Sequence, residues 1–166
     1  NVTLEASVSD SVLVSYVTFY YDNGKAIPPA PTDNSGVNGW KADWDISSVV
    51  LDGHHSAYCV AVDTMNNILT SNRIYFVIDN SVPQAVIQYP IEGGFVKGAI
   101  GIRGTAADSI GVRRVQIYDG ATLINESLVS GFNPAVEYVW QTSTGVADGL
   151  HTLMIKAYDY VENSSE

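Results

Sequence analysis

The stretch LEASVSDSVLVSYVTFY, residues 4–20, decides the fold of this chain because it recurs as IRGTAADSIGVRRVQIY, residues 102–118. The two stretches align residue for residue without a gap, so that Asp10 meets Asp108. Both stretches alternate apolar and polar residues, which is the pattern of a half-buried β-strand. The recurrence indicates that one structural unit is present twice.

A second pair of matching stretches extends the repeat. Residues 44–67 (WDISSVVLDGHHSAYCVAVDTMNN) align without a gap with residues 140–163 (WQTSTGVADGLHTLMIKAYDYVEN), and Trp44 meets Trp140. The repeat length of about 97 residues is too long for a solenoid unit and suits one small β-sandwich domain. The chain is therefore predicted to hold two copies of one domain. We expect a residue found in both copies to serve the fold rather than a chemistry of its own.

Period-two alternation runs through most of the chain, and no segment shows a helical period of 3.6 residues. Glycine, proline, Asn and Asp punctuate the alternating runs. Short strands at this spacing predict antiparallel sandwiches with Greek-key connections. The expected strands are residues 2–9, 16–22, 40–46, 56–63 and 68–78 in the first copy, and 84–89, 94–106, 112–118, 136–142 and 151–159 in the second.

The same alternation predicts which side chains form the two cores. Cys59 falls on an inward position whose counterpart is Ile155, so we expect it to be a small buried hydrophobe rather than a nucleophile or a ligand. The expected core is Leu4, Ala6, Val8, Val17, Phe19, Trp40, Ala42, Trp44, Ala57, Cys59 and Ala61, matched by Ile102, Gly104, Ala106, Val115, Ile117, Val136, Tyr138, Trp140, Leu153, Ile155 and Ala157.

Composition narrows the class of protein. The 166 residues are 46% hydrophobic, which is enough for two small cores, and the ten Tyr and three Trp favour strands. The 18 acidic and 8 basic residues give a formal net charge of −10, which opposes binding to nucleic acid or to anionic membranes. No run of 18 apolar residues is present, so no membrane insertion is expected. The lack of an initiator Met and of a signal peptide predicts a mature piece or a fragment of a longer protein.

The two copies differ at their ends. We place the first domain at residues 1–80, without its first strand, and the second at residues 81–166, without its last strand. The linker spans residues 79–83, and Pro83 should keep it short and extended. The simplest interpretation is a segment of a longer tandem array whose neighbouring domains supply these strands. The alternative is a chain that borrows them from adjacent subunits.

Each copy follows one motif order: a strand ending in [VA]-x-D, a V-x-x-V-x-[IF]-Y strand, a strand with Trp, D-G-x-H, and a strand ending in A-x-D-x-x-x-N. This order resembles the bacterial and archaeal immunoglobulin-like repeats of large surface proteins. The resemblance implies an all-β chain of two tandem immunoglobulin-like antiparallel β-sandwiches. The matching residues are 8–10, 14–20, 44, 52–55 and 61–67 in the first copy, and 106–108, 112–118, 140, 148–151 and 157–163 in the second.

Acidic residues at the loop ends form the main candidate site. In such a sandwich the loops that follow Asp108 and Asp159 should lie at the end facing the preceding domain, near Asp79 and Asn80. Several converging oxygen ligands suit calcium, which takes six to eight of them. The sequence therefore predicts a calcium site at Asp79, Asn80, Asp108 and Asp159, and Asp10 with Asp63 should form the corresponding pair of the first copy. The alternative is that each Asp caps its own turn.

For the remaining candidate residues, a structural role is favoured over a role in binding. His54 and His55 follow a D-G turn but should point to opposite faces of a strand, and His151 repeats His55, so a zinc site is not expected. Asn125 lies in an N-x-S pattern on an expected surface hairpin and is the best of three glycosylation candidates. Tyr16, Tyr20 and Tyr58 are out of phase with the core, so they either pair across strands or form a platform for sugar rings.

No catalytic motif is present, so we do not expect an enzyme or a required cofactor. The expected function is a non-catalytic extracellular segment of a larger cell-surface protein, acting as a stalk, adhesin or assembly module. Its partners would be neighbouring immunoglobulin-like domains, adjacent subunits, or a surface protein or glycan. One alternative is a carbohydrate-binding accessory module of a secreted enzyme. Another is a filament subunit completed by strands from neighbouring chains.

Overall fold

The structure is a computed structural model that describes residues 1–47 and 50–165. The chain divides into two compact units, Asn1–Ile78 (unit 1) and Asp79–Glu166 (unit 2). Every named strand pairs antiparallel with its neighbours, in agreement with the expected all-β fold. Within the described residues, no helix is long and apolar enough to span a membrane.

Unit 1 holds eight strands: β1 (Val2–Ala6), β2 (Val14–Tyr21), β3 (Lys25–Ala26), β4 (Thr32–Asp33), β5 (Trp40–Trp44), β6 (Gly53–Asp63), β7 (Ile68–Thr70) and β8 (Ile74–Ile78). One sheet pairs β1 with β5, and the other runs β3-β2-β6-β7, with β4 on β2 and β8 on β6. The single strand expected over residues 68–78 is wrong. β7 and β8 are separate strands that pair with opposite ends of β6.

Unit 2 holds seven strands: β9 (Gln84–Tyr89), β10 (Ala99–Ala107), β11 (Val112–Asp119), β12 (Thr122–Leu128), β13 (Ala135–Gln141), β14 (Leu153–Asp159) and β15 (Ser164–Ser165). Its sheets run β13-β10-β9 and β12-β11-β14-β15. The repeated strands are the pairs β1/β10, β2/β11, β5/β13, β6/β14 and β7/β15. Among the described residues, β9 has no counterpart in unit 1 and β8 has none in unit 2.

The inward positions of the repeated strands form one apolar core in each unit, as the alternation predicts. In unit 1 the core includes Val17, Phe19 and Trp44, and in unit 2 it includes Ile102 and Trp140. Cys59 is a free, buried cysteine, in agreement with its expected place as a small hydrophobe. Burial of these side chains is the main favourable contribution to the stability of each sandwich.

Among the described residues, part of the core of unit 1 is less covered than the equivalent part of unit 2. In unit 2, Ala85 and Ile87 on β9 pack against the core, and Ile102 and Ala106 of β10 are wholly buried. The equivalent Leu4 and Val8 of unit 1 are only partly buried. Among the described residues, these equivalent inward positions are therefore covered more completely in unit 2 than in unit 1.

The insertion between β2 and β5 is more than a surface loop. Ile27 from this insertion is wholly buried in the core of unit 1, and its main-chain N–H donates to the carbonyl of Phe19. The N–H of Phe19 in turn donates to the carbonyl of Pro31 at 2.7 Å. The insertion thus covers the edge of β2, in the place that β12 takes beside β11 in unit 2.

Candidate metal centre

Asp108 lies directly after β10, where the chain turns toward β11. Its Oδ1 accepts hydrogen bonds from the main-chain N–H groups of Ile110 (2.7 Å) and Gly111 (2.9 Å). These bonds fix the carboxylate on the turn, as an Asx turn does. The residue is 9% exposed, and its buried Oδ2 has no hydrogen-bond partner among the described residues.

Asp159 ends β14 and is wholly buried. Its Oδ1 accepts hydrogen bonds from the main-chain N–H groups of Val161 (2.8 Å) and Asn163 (2.9 Å). Its Oδ2 is buried without a hydrogen-bond partner in the part of the chain that the structure describes. Asp108 and Asp159 therefore share one arrangement. One carboxylate oxygen accepts main-chain hydrogen bonds from the turn, and the other has no hydrogen-bond partner among the described residues.

Asp79, the first residue of unit 2, completes a group of three buried carboxylates. One oxygen from each of Asp79, Asp108 and Asp159 lies within 4.8 Å of the others. The side-chain N–H₂ of Asn163 donates to the main-chain carbonyls of Asp79 (3.1 Å) and Ser81 (2.9 Å), which holds the segment beside the turn. The structure thus brings three of the four expected ligands together, while Asn80 is exposed.

The matching residues of unit 1 are arranged differently. Asp63 accepts main-chain hydrogen bonds at Oδ1 from Met65 (2.7 Å) and Asn67 (2.8 Å), as Asp159 does from its own turn. Its Oδ2, however, accepts from the side chain of Asn67 at 2.6 Å. This side-chain bond is the main cause that lowers the pKa of Asp63 below its ordinary value. Asp10 is exposed and bonds the N–H of Val12, so unit 1 fits the turn-capping explanation.

The repeated histidines hold turns. His151 places Nδ1 at 2.7 Å from Oδ2 of Asp119 and Nε2 at 2.8 Å from the carbonyl oxygen of Ala147. Both partners only accept, so each ring nitrogen donates when the imidazole is protonated. The hydrogen bond to Ala147, followed by the bond to Asp119, raises the pKa of His151.

The first unit repeats this arrangement. His55 meets Asp22 through Nδ1, at 3.0 Å from Oδ2, and the carbonyl oxygen of Leu51 through Nε2 at 2.7 Å. His54, its neighbour in sequence, is exposed. In both units the repeated histidine thus bridges an aspartate and a main-chain carbonyl.

Tyr20 and Tyr58, for which the sequence left open either cross-strand pairing or a platform for sugar rings, contact neighbouring side chains. Tyr20 stacks on Tyr58 with ring centroids 5.3 Å apart, and the guanidinium of Arg73 lies 4.3 Å from the Tyr58 ring centroid. Tyr16 is 36% exposed. The side chain of Asn125, on β12, donates to the hydroxyl of Ser127 at 2.9 Å. These contacts agree with a solvated sheet face whose rings pair with each other and with cations.

Sequence reasoning missed the residue that distinguishes the two units at this site. Asn163 aligns with Asn67, so the repeat predicts one role for both. The amide of Asn67 bonds the carboxylate of its own turn, whereas the amide of Asn163 bonds the main chain of residues 79–81. No signal in the aligned sequence marks this difference, because it depends on which acceptors lie beside the turn.

Comparisons with known proteins agree with this fold. A family model described as "Bacterial Ig domain" matches residues 1–58 and 83–155. A search of curated proteins gave no match. The chain is similar to the solved structure titled "Structures of Clostridium thermocellum CbhA fibronectin(III)-like modules", with 22% identity, a TM-score of 0.50, and coverage of 99% of this chain and 80% of that one. These matches confirm the expected immunoglobulin-like sandwich. Because the family model spans most of its length, the chain belongs to the bacterial Ig domain family.

Proposed function

We propose that this chain is a non-catalytic, extracellular, tandem immunoglobulin-like segment that acts as a mechanical spacer or stalk in a larger surface protein. The observation that carries the proposal is the use of the repeated polar residues. In both units the histidine clamps a turn, and the aspartate that ends β6 or β14 caps the next turn. Polar groups that repeat and hold turns serve mechanical and folding stability rather than a reaction.

The His–Asp pairs support a non-catalytic role. In a Ser-His-Asp triad the aspartate holds Nδ1 and Nε2 stays available to take the proton of the nucleophile. Here Nε2 of His55 meets the carbonyl oxygen of Leu51, and Nε2 of His151 meets that of Ala147. A carbonyl oxygen carries no proton, so neither ring is placed to activate a nucleophile.

Charge and sheet surface support a spacer over a binding module. The net charge of −10 favours solubility and opposes contact with nucleic acid and anionic lipid. The Tyr58 ring has Tyr20 on one side and the Arg73 guanidinium close to its centroid, so it offers little face for stacking on a sugar. We therefore favour the spacer function over that of an accessory carbohydrate-binding module.

Single-molecule stretching of the full chain tests the proposal. A tandem spacer should give two separate unfolding events, each lengthening the chain by about 3.3–3.6 Å per unfolded residue. Extension of the whole chain without a resolved unfolding peak would contradict a mechanical role as a spacer. A glycan array, probed with the same protein and with Tyr58→Ala, tests the alternative. Glycan binding by the parent protein that is lost in Tyr58→Ala would favour the accessory module over the spacer as the function of this chain.

A further inference from the structure

We infer that unit 2 holds one Ca²⁺ ion between Asp79, Asp108 and Asp159. The three side chains are 9%, 9% and 0% exposed, and one oxygen of each lies within 4.8 Å of the others. Carboxylate charges this close, and this far from water, repel one another. A divalent cation among them replaces the repulsion by attraction.

A second observation points to a ligand independently of the acidic cluster. Asp159 is wholly buried, yet its Oδ2 has no hydrogen-bond partner among residues 1–47 and 50–165. The same is true of Oδ2 in Asp108. Buried polar atoms are nearly always satisfied, so two unsatisfied carboxylate oxygens beside a third carboxylate require an explanation. The other oxygen of each residue is fixed by main-chain N–H groups, which orients the free one in advance.

Unit 1 shows that the turn itself does not leave this oxygen free. Asp63 caps the equivalent turn of unit 1, and there the side-chain amide of Asn67 donates to Oδ2 of Asp63 at 2.6 Å. In unit 2 the aligned Asn163 turns away and bonds the carbonyls of Asp79 and Ser81 instead. These bonds hold Asp79 beside the turn, and they leave Oδ2 of Asp159 without the amide partner that Asp63 has. Asn163 is therefore a positioning residue for the site in unit 2, and Asn67 closes the equivalent place in unit 1.

The chemistry of the three ligands indicates which cation the site prefers. Three carboxylates without a cysteine or histidine among them are hard oxygen ligands, which disfavours Zn²⁺, a metal usually held through Cys and His. Mg²⁺ demands a near-ideal octahedron and usually keeps several waters, whereas Ca²⁺ takes six to eight oxygens in flexible geometry. A buried group of three carboxylates therefore fits Ca²⁺ better.

The test is calorimetric titration of the full chain with CaCl₂ after treatment with a chelator. We expect one Ca²⁺ per chain and much weaker binding of Mg²⁺ at the same concentration. Asp159→Asn keeps the oxygen that caps the turn and should weaken Ca²⁺ binding by at least the roughly 10- to 100-fold typical of changes around metal ligands. Asp63→Asn, the matched change in unit 1, should leave affinity and stoichiometry unchanged.

Melting experiments separate a ligand from a purely structural role. In chelator, Asp159→Asn should melt at or above the temperature of the parent, because the substitution removes one of three mutually repelling charges. In CaCl₂ the order should reverse, because only the parent is stabilised by the ion. Asp79→Asn provides a second variant with the same expected crossover. No Ca²⁺ binding by the parent, equal binding by Asp159→Asn and Asp63→Asn, or lower stability of both unit 2 variants in chelator would overturn the inference.

Discussion

Ala6 and Gly104 occupy equivalent positions in the two units, and only Gly104 lies beneath the main chain of a further strand. A Cβ atom built on Gly104 would clash with the carbonyl oxygen of Val86 on β9 and lie 2.9 Å from Cδ1 of Ile155. The pairing of β9 with β10 is irregular at this point, between Arg103 and Gly104. Glycine therefore permits the close approach of β9, and the alanine of unit 1 has no such strand above it among the described residues.

Gly104→Ala should destabilise unit 2 by about 1–3 kcal/mol, the usual cost of overpacking a well-packed site. The clash involves main chain, so it cannot be relieved by rotating a side chain. Gly101→Ala on the same strand is the matched control, since its Cβ would meet nothing within 4 Å. Denaturant titration of both variants measures the difference. Equal free energies of unfolding for the two variants would show that β9 adjusts without cost.

The amides of β1 should exchange with solvent faster than those of β10. Among the described strands, β1 pairs only with β5, whereas β10 pairs with both β13 and β9. Strands β2 and β11, each paired on both sides, provide the control and should exchange at more similar rates. Hydrogen exchange read by mass spectrometry makes this comparison within one sample. Equal protection of β1 and β10 would contradict the expected effect of the open edge.

Truncation of either repeated tryptophan should cost about 3–5 kcal/mol in the free energy of unfolding. Trp44 is 0% exposed and packs beside Tyr21, with ring centroids 4.7 Å apart, while Trp140 is 6% exposed and meets the ring of His151. Removing either side chain leaves a cavity in its core. Phe95→Ala is the control, because this ring is fully exposed. Denaturant titration that gave Trp44→Ala or Trp140→Ala the stability of Phe95→Ala would contradict the core assignment.

The His151 clamp should make stability depend on pH. Its hydrogen bonds raise the pKa of His151 in the folded state, so its contribution is fully present below the ordinary value of about 6.5. The contribution is lost as the pH rises through the raised pKa of the folded state. Melting temperatures of the parent and His151→Gln should therefore differ most in mild acid and converge in alkali. A difference that is constant with pH would show that packing of the ring, rather than its charge, holds the turn.

The sequence by itself determined the two-unit organisation, the all-β class and the inward faces of the strands. These follow from period-two alternation and from an internal repeat, both of which are local patterns that survive without knowledge of contacts. The repeat also indicated that the histidines are structural, because His55 and His151 occupy one aligned position. The three aspartates of the candidate site were identified in advance by the loops on which they lie.

Only the tertiary structure decided how aligned residues are used. Alternation alone does not show that β7 and β8 are separate strands, because the break depends on where each finds a free edge of β6. Likewise, Asn67 and Asn163 are the same residue in the same motif, and their amides choose different acceptors. The physical reason is that a side-chain amide bonds the oxygens within its reach. In unit 2 these are the carbonyls of Asp79 and Ser81, which the strand pattern of either repeat does not encode.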